Sequence, residues 1–177
     1  MFKKIKKTER FAQIVATLIQ RAFSSFPWYE ILTKNECLNR ILKDFTRNNF
    51  FGYILFIDNK PVAANWVDQL SVEQIRVERG RDLAIFILNL GIDFVLWERD
   101  ILVDPYYQNK GYGTQIKKKL FGYLKNQYKG RYIFARLRQD NIGSIKICEK
   151  MGYKQTGVLV PSSQIKGLFH EYYYLKL

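Results

Sequence analysis

The segment Phe94 to Tyr128 constrains the fold more than any other part of the chain. Phe94 to Val103 has the composition of a strand, and Asp104-Pro105 closes it, because proline cannot donate to a sheet ladder. Asn109-Lys110-Gly111-Tyr112-Gly113-Thr114 then turns the chain into a helix predicted over Gly113 to Tyr128. That helix has Ile116, Leu120, Tyr123 and Leu124 inward and its lysines outward. The first amides of a helix lack intrahelical partners and lie at the positive end of its dipole. Glycines at 111 and 113 let a ligand approach them without a Cβ in the way, so this turn is a ready site for phosphate. It is not a P-loop, which needs Lys directly after the second glycine of its motif. Nor is it the dinucleotide fingerprint, which needs an acidic residue about 20 positions later. Tyr132 to Ala135 occupies that neighbourhood without one.

The rest of the chain fits an α/β domain. Residues 2–7 hold a short first strand, and Glu9 to Ser24 has helical apolar spacing at Phe11, Ile14, Val15, Leu18, Ile19, Ala22 and Phe23. A second helical region follows Pro27 and carries Ile31, Leu32, Leu38, Ile41, Leu42 and Phe45. Phe51 to Ile57 and Pro61 to Val67 are strands joined by Asp58-Asn59-Lys60. Residues 69–91 are ambiguous, with a helical pattern at Leu83, Phe86, Ile87 and Leu90, and they are the candidate for an acceptor lid or a homodimer contact. Tyr132 to Leu137 is a strand, Asn141 to Met151 a helix stopped by Gly152, and Tyr153 to Leu159 and Phe169 to Leu177 the last strands. No linker or repeat interrupts residues 1–177, which read as a single domain with a mixed sheet of six to seven strands flanked by helices.

Charge narrows the function. The formal net charge is +13, which first suggests nucleic acid. Between Pro105 and Gln139, however, stand nine basic residues and no acidic one, and the remainder of the chain has an excess of only four. The positive field is local and suits a compact polyanionic ligand, so nucleic acid is not favoured. No apolar run is long enough to span a membrane, and the start MFKKIKKTERF lacks the apolar stretch of a secretory signal. Cys37, Cys148 and one histidine do not make a zinc set, so no metal is expected, and the chain reads as cytoplasmic.

Gln108, Gly111 and Gly113 meet the pattern Gln/Arg-x-x-Gly-x-Gly/Ala, behind the strand end Ile101-Leu102-Val103-Asp104-Pro105 and ahead of the helix Asn141 to Gly152-Tyr153. In that order these segments resemble the GNAT superfamily of acetyl-CoA-dependent N-acetyltransferases, closely over residues 94 to 158. The resemblance implies acetyl-CoA as co-substrate, a primary amine as acceptor, and a GNAT-like fold. It implies that the backbone of Ile101, Leu102 and Val103 pairs with pantetheine. Gln108 belongs to the signature, and amides from Asn109 through Lys110, Gly111, Tyr112 and Gly113 to Thr114 hold the pyrophosphate. Asn141 bonds the pantetheine chain, and Lys110, Lys117, Lys118 and Lys150 lie near the phosphates.

The chain departs from the family at Cys148, seven after Asn141, where a tyrosine often protonates the departing thiolate. Packing is the expected role of Cys148, with Tyr153, Tyr172, Tyr173, Tyr174 or water as other donors. Glu98 and Asp100 stand where the family commonly places a general base; the competing role is a salt bridge with Arg99 or its neighbours. His170 is expected at a strand edge or hydrogen-bonded at the surface, and Tyr172 to Tyr174 in sheet packing. Two rival classes are an RNA-associated acyltransferase or nucleic-acid-binding module, and a catalytically silent CoA-binding regulator.

Overall fold

The computed structural model describes residues 1–177. Seven strands and six helices follow in the order β1 (Phe2–Lys4), α1 (Glu9–Phe23), α2 (Lys34–Phe45), β2 (Phe51–Ile57), β3 (Lys60–Ser71), α3 (Val72–Arg79) and α4 (Arg81–Asn89). Then come β4 (Phe94–Val103), a 3₁₀ turn at Pro105–Tyr107, α5 (Tyr112–Gln127), β5 (Tyr132–Arg138), α6 (Ile142–Lys150), β6 (Lys154–Pro161) and β7 (Phe169–Lys176). The strands form one mixed sheet in the order β1-β2-β3-β4-β5-β7-β6. No helix is long and apolar enough to cross a membrane. The chain divides into two compact units, Met1–Asp68 with Arg99–Tyr123, and Gln69–Glu98 with Leu124–Leu177.

In the first unit, α1 and α2 bury Ala12, Val15, Leu18, Ile19, Cys37 and Ile41 against Ile54, Ala64, Trp66 and Leu102. Each fully buried aliphatic side chain of this kind contributes about 1.5–3 kcal/mol. A second cluster joins Ile116 of α5 to Leu55, Val62 and Ala63. Gly52 is fixed by a close approach, since a Cβ there would stand 2.5 Å from the Trp66 Cβ. Asp58 and Asn59, both at positive φ, form the two-residue hairpin turn between β2 and β3, and Lys60 already belongs to the strand.

Two expectations for this unit change. The helix after Pro27 begins only at Lys34, where Thr33 and Glu36 form a reciprocal capping box. Ile31 lies outside it, 99% exposed, and Tyr29 takes a positive φ that interrupts any helix through this stretch. The lysines of α5 are not all outward: Lys117 is fully buried, its ammonium 5.7 Å from the Phe121 ring centroid. Its position explains this, because Lys117 falls a turn after Gly113 and a turn before Leu120 and Phe121, on the apolar stripe, and a lysine's aliphatic stem can be buried there.

In the second unit, the ambiguous stretch 69–91 becomes α3 and α4, separated by Gly80 at φ 106. Ser71 and Gln74 make the capping box that starts α3. Ile75, Leu83, Ala84 and Ile87 pack with Val95, Trp97, Phe134 and Tyr172, so much of this segment is core. β4 pairs in parallel with β5 at Leu96↔Ile133, Trp97↔Phe134 and Glu98↔Ala135. β7 runs antiparallel between β5 and β6.

Candidate active site

The strand end and the loop after it belong to the first unit. Asp104, 4% exposed, organises the turn. Its Oδ1 accepts from the Tyr106 amide at 3.0 Å, and its Oδ2 accepts from Arg21 Nη1 at 2.8 Å. The 3₁₀ turn ends at Gln108, whose Nε2 donates to the Val103 carbonyl at 3.4 Å and ties the loop back to the strand. Asn109 and Gly111 then take φ of 61° and 79°, the left-handed region in which Asn and Gly are the tolerant residues. α5 follows at once, and its first closing bond runs from the Gln115 amide to the Gly111 carbonyl at 3.0 Å. The amides of Tyr112, Gly113 and Thr114 precede that bond and have no carbonyl four residues back within the helix. They stand at the positive end of a 16-residue helix. Lys110 adds a cation there, its ammonium 5.4 Å and 5.3 Å from the Tyr106 and Tyr107 ring centroids. Amides, glycine and cation in this order suit a pyrophosphate.

Asp100 also lies in the first unit. Both of its carboxylate oxygens accept from Arg40 Nη2, at 2.9 Å and 2.8 Å, and its carbonyl accepts from Asn65 Nδ2 at 2.8 Å. Burial pushes its carboxyl up to about 6, against the pull of Arg40 in the other direction. Arg99, one salt-bridge partner considered for these carboxylates, hydrogen-bonds the fully buried Asp68 at 2.6 Å and 2.7 Å. Asp68 is close to Arg47 as well, and Asp44 accepts from Trp66 Nε1 at 2.9 Å. Asp100 thus sits in an Asp–Arg network joining α2, β3 and β4, which is a structural use of the residue.

Glu98, Asn141, Cys148 and Tyr153 belong to the second unit. Glu98 is 5% exposed and accepts a hydrogen bond from the Tyr153 hydroxyl at 3.0 Å. Burial first, and then the Glu98 carboxylate, hold the Tyr153 phenol well above its ordinary range, so it remains protonated. Cys148 is 1% exposed on α6, and its carbonyl accepts from the Tyr153 amide at 3.1 Å. Asn141 is the N-cap of α6: its Oδ1 accepts from the Ser144 amide at 3.3 Å, which leaves its amide nitrogen end as a donor. The turn before it is braced by Arg138, fully forked onto Asp140 at 2.7 Å and 3.1 Å.

His170 is not at a strand edge. It is 7% exposed on the inner strand β7, opposite Arg138 and Val160. Burial, with Arg136 and Arg138 nearby, lowers it to about 4, so it is neutral at physiological pH. Tyr172 donates to the Arg79 carbonyl at 3.2 Å and packs on Trp97, while Tyr174 packs on Phe134, as sheet-packing residues do. The pairings Glu98–Tyr153 and Arg40–Asp100 span 55 and 60 positions, and neither leaves a mark in local spacing.

The chain is similar to known proteins at the level of family and fold. A model of the acetyltransferase (GNAT) family matches residues 14–153. A probable spermine N(1)-acetyltransferase of Bacillus subtilis subsp. natto is 30% identical over 64 residues, which are 36% of this chain and 42% of that protein. The match therefore spans less than half of the curated relative's length. Among solved structures, an N-acetyltransferase from Staphylococcus aureus Mu50 superimposes with a TM-score of 0.68 at 17% identity, covering 99% of this chain and 97% of that one. The ribosomal-protein-S18-alanine N-acetyltransferase from Escherichia coli does so with a TM-score of 0.66 at 15% identity, covering 99% and 94%. At these identities the two structures show a common fold.

Proposed function

We propose, from the premise that the chain belongs to the acetyltransferase (GNAT) family, that residues 1–177 act as one domain transferring the acetyl group of acetyl-CoA to a primary amine. The observation that carries the reading is the turn from β4 into α5, where positive φ at Asn109 and Gly111 precedes the amides of Tyr112, Gly113 and Thr114. These amides, with those of Asn109, Lys110 and Gly111, hold the pyrophosphate. The backbone of Ile101, Leu102 and Val103 accompanies pantetheine, with Gln108 securing the strand end and Asn141 donating to the pantetheine chain. Of the two carboxylates on β4 we assign the base to Glu98, because Asp100 is bound to Arg40 through both oxygens.

The reaction then runs without an acyl-enzyme. The acceptor ammonium loses a proton to the Glu98 carboxylate, directly or through water, and the neutral amine attacks the thioester carbonyl. Backbone amides polarise that carbonyl. A C–N bond forms, the C–S bond breaks, and the CoA thiolate takes the amine's second proton. Tyr153 is a poor source of that proton, since its phenol is held well above its ordinary range; water fits the role better.

The acceptor is a small-molecule or peptide amine. The partial likeness to a spermine acetyltransferase puts polyamines on the trial panel, although a net charge of +13 repels polycations. The test is CoA release from acetyl-CoA across polyamines, amino compounds and peptide N-termini. Release with at least one amine supports the reading. Tight acetyl-CoA binding with no release on any class would instead indicate a silent CoA-binding regulator, and tight, steeply salt-dependent RNA binding would favour the nucleic-acid class.

A further inference from the structure

We propose that the open edge of β1 docks an acidic, extended segment of a partner protein, which joins the sheet as an added strand and meets lysines on both faces. The proposal stands apart from acetyl transfer and uses none of the residues assigned to it.

β1 is the terminal strand of the sheet and pairs only with β2, at Phe2↔Leu55, Lys3↔Ile54 and Lys4↔Tyr53. All three of its residues are exposed. The Met1 carbonyl accepts from the Phe56 amide at 2.8 Å, and the Ile5 amide donates to the Gly52 carbonyl at 2.9 Å. Backbone groups alternate in direction along an antiparallel strand. Those of Met1, Lys3 and Ile5 therefore turn toward β2, and those of Phe2 and Lys4 toward the open edge.

Side chains alternate as well, and both faces of this edge are basic. On the α5 side, Lys4 Nζ lies 4.7 Å from the Phe51 ring centroid. Lys119 Nζ, from α5 itself, lies 5.3 Å and 5.9 Å from the centroids of Tyr53 and Phe2. On the side of α1 and α2, Lys3 Nζ lies 4.8 Å from the Phe56 centroid and Lys7 Nζ 5.8 Å from that of Phe50. A ring attracts an ammonium and fixes its place without neutralising it, so N–H donors remain for an anion. No carboxylate lies within salt-bridge distance of these four ammoniums. Lys7 donates to the Arg47 carbonyl at 3.4 Å, and Glu9, the first acidic residue of the chain, accepts from Gln13.

Lysine on a sheet edge ordinarily keeps other strands away. The strand it admits carries carboxylates opposite the ammoniums, while its backbone bonds the outward groups of Phe2 and Lys4. A single-stranded nucleic acid would use the rings as stacking platforms, but Phe51 and Phe56 are buried. An anionic membrane calls for a broad apolar face among the basic residues, and only Met1 and Phe2 offer exposed apolar surface on this strand and its start. An acidic peptide uses both the charge and the open backbone.

The experiment is a polarisation titration of the full chain with a labelled peptide of alternating Glu and Thr, at low and at physiological salt. Binding should saturate, weaken as salt rises, and protect the amides of Phe2 and Lys4 from hydrogen exchange. Lys3→Gln, Lys4→Gln, Lys7→Gln and Lys119→Gln combined should weaken it about tenfold or more, since each surface pair is worth a factor of about two. Affinity for acetyl-CoA, and CoA release with a small amine, should stay as in the native chain. The same peptide with Gln in place of Glu should bind as weakly, which tests the charge even where the lysine variant folds poorly. Binding of the Glu-Thr peptide without protection of those two amides would overturn strand addition. Polyuridylate or phosphatidylglycerol vesicles binding more tightly than the peptide, with the same loss in the lysine variant, would assign the surface to another polyanion and overturn the proposal. No peptide binding would overturn it too; self-association of the lysine variant would then mark the lysines as guards of the edge.

Discussion

Glu98 and Asp100 stand two positions apart on β4, and the partners around them differ in kind. Asp100 is gripped through both oxygens by a cation and belongs to a network with Asp44, Asp68, Arg47 and Arg99. Glu98 faces a neutral phenol that satisfies one oxygen. A carboxylate paired through both oxygens with a guanidinium is a brace between the elements it joins. Position on a strand end therefore does not by itself fix a carboxylate's role.

The largest expected effect tests the brace. Arg40→Met leaves Asp100 without its cation and should cost about 3 kcal/mol of stability, read from chemical denaturation. Arg40→Met combined with Asp100→Leu should recover much of that loss, because no uncompensated charge remains. If Arg40→Met were neutral, Asp100 would not be structural in the sense described.

Turnover sharpens the same contrast. Glu98→Gln should lose a hundredfold or more in kcat, within the range for removing a general base. Asp100→Asn, measured on folded protein at saturating acetyl-CoA, should lose less than tenfold. The reverse ranking would exchange the two roles.

The pH dependence of stability separates the network from the second unit. Asp100 has a folded value near 6, above its ordinary 3.8, so its ionisation is disfavoured by the fold. Its contribution is greatest at low pH and is lost as pH rises from about 4 to 6. His170 acts oppositely: its folded value near 4 is below 6.5, so its contribution is present above pH 6.5 and is lost as pH falls toward 4. Asp100→Asn should make denaturation midpoints fall more steeply on acidification across this window, and His170→Gln should flatten that fall.

The smallest effect concerns the position where the family often has tyrosine. Cys148 is buried on α6, and Cys148→Ser should cost about 1–2 kcal/mol of stability by putting a hydroxyl in place of a buried thiol. Single-turnover transfer should change less than tenfold. A hundredfold loss with acetyl-CoA affinity intact would make the thiol the acid.

What could be read from the residues followed from local chemistry. Pro105 ends β4, the capping Asn141 opens α6, and Gly152 closes it, each within a residue or so of its predicted place. Those local signals also carry the family resemblance. Residues 24–33 misled because Ile31 and Leu32 have a helical spacing that Tyr29 at positive φ does not permit. Lys117 misled because charge was weighed above its spacing to Leu120 and Phe121, a spacing that was legible throughout. The partners of Glu98 and Asp100 were not legible, since each contact is made by chain folding across more than fifty residues. Local periodicity has no access to such pairs.

The most direct measurement is an amide NMR titration of the protein with acetyl-CoA. Binding should shift Asn109 through Thr114 most strongly, together with Ile101 to Val103 and the side-chain amide of Asn141. Saturable binding that leaves the amides of Tyr112, Gly113 and Thr114 unshifted, or no binding at millimolar acetyl-CoA, would contradict the account.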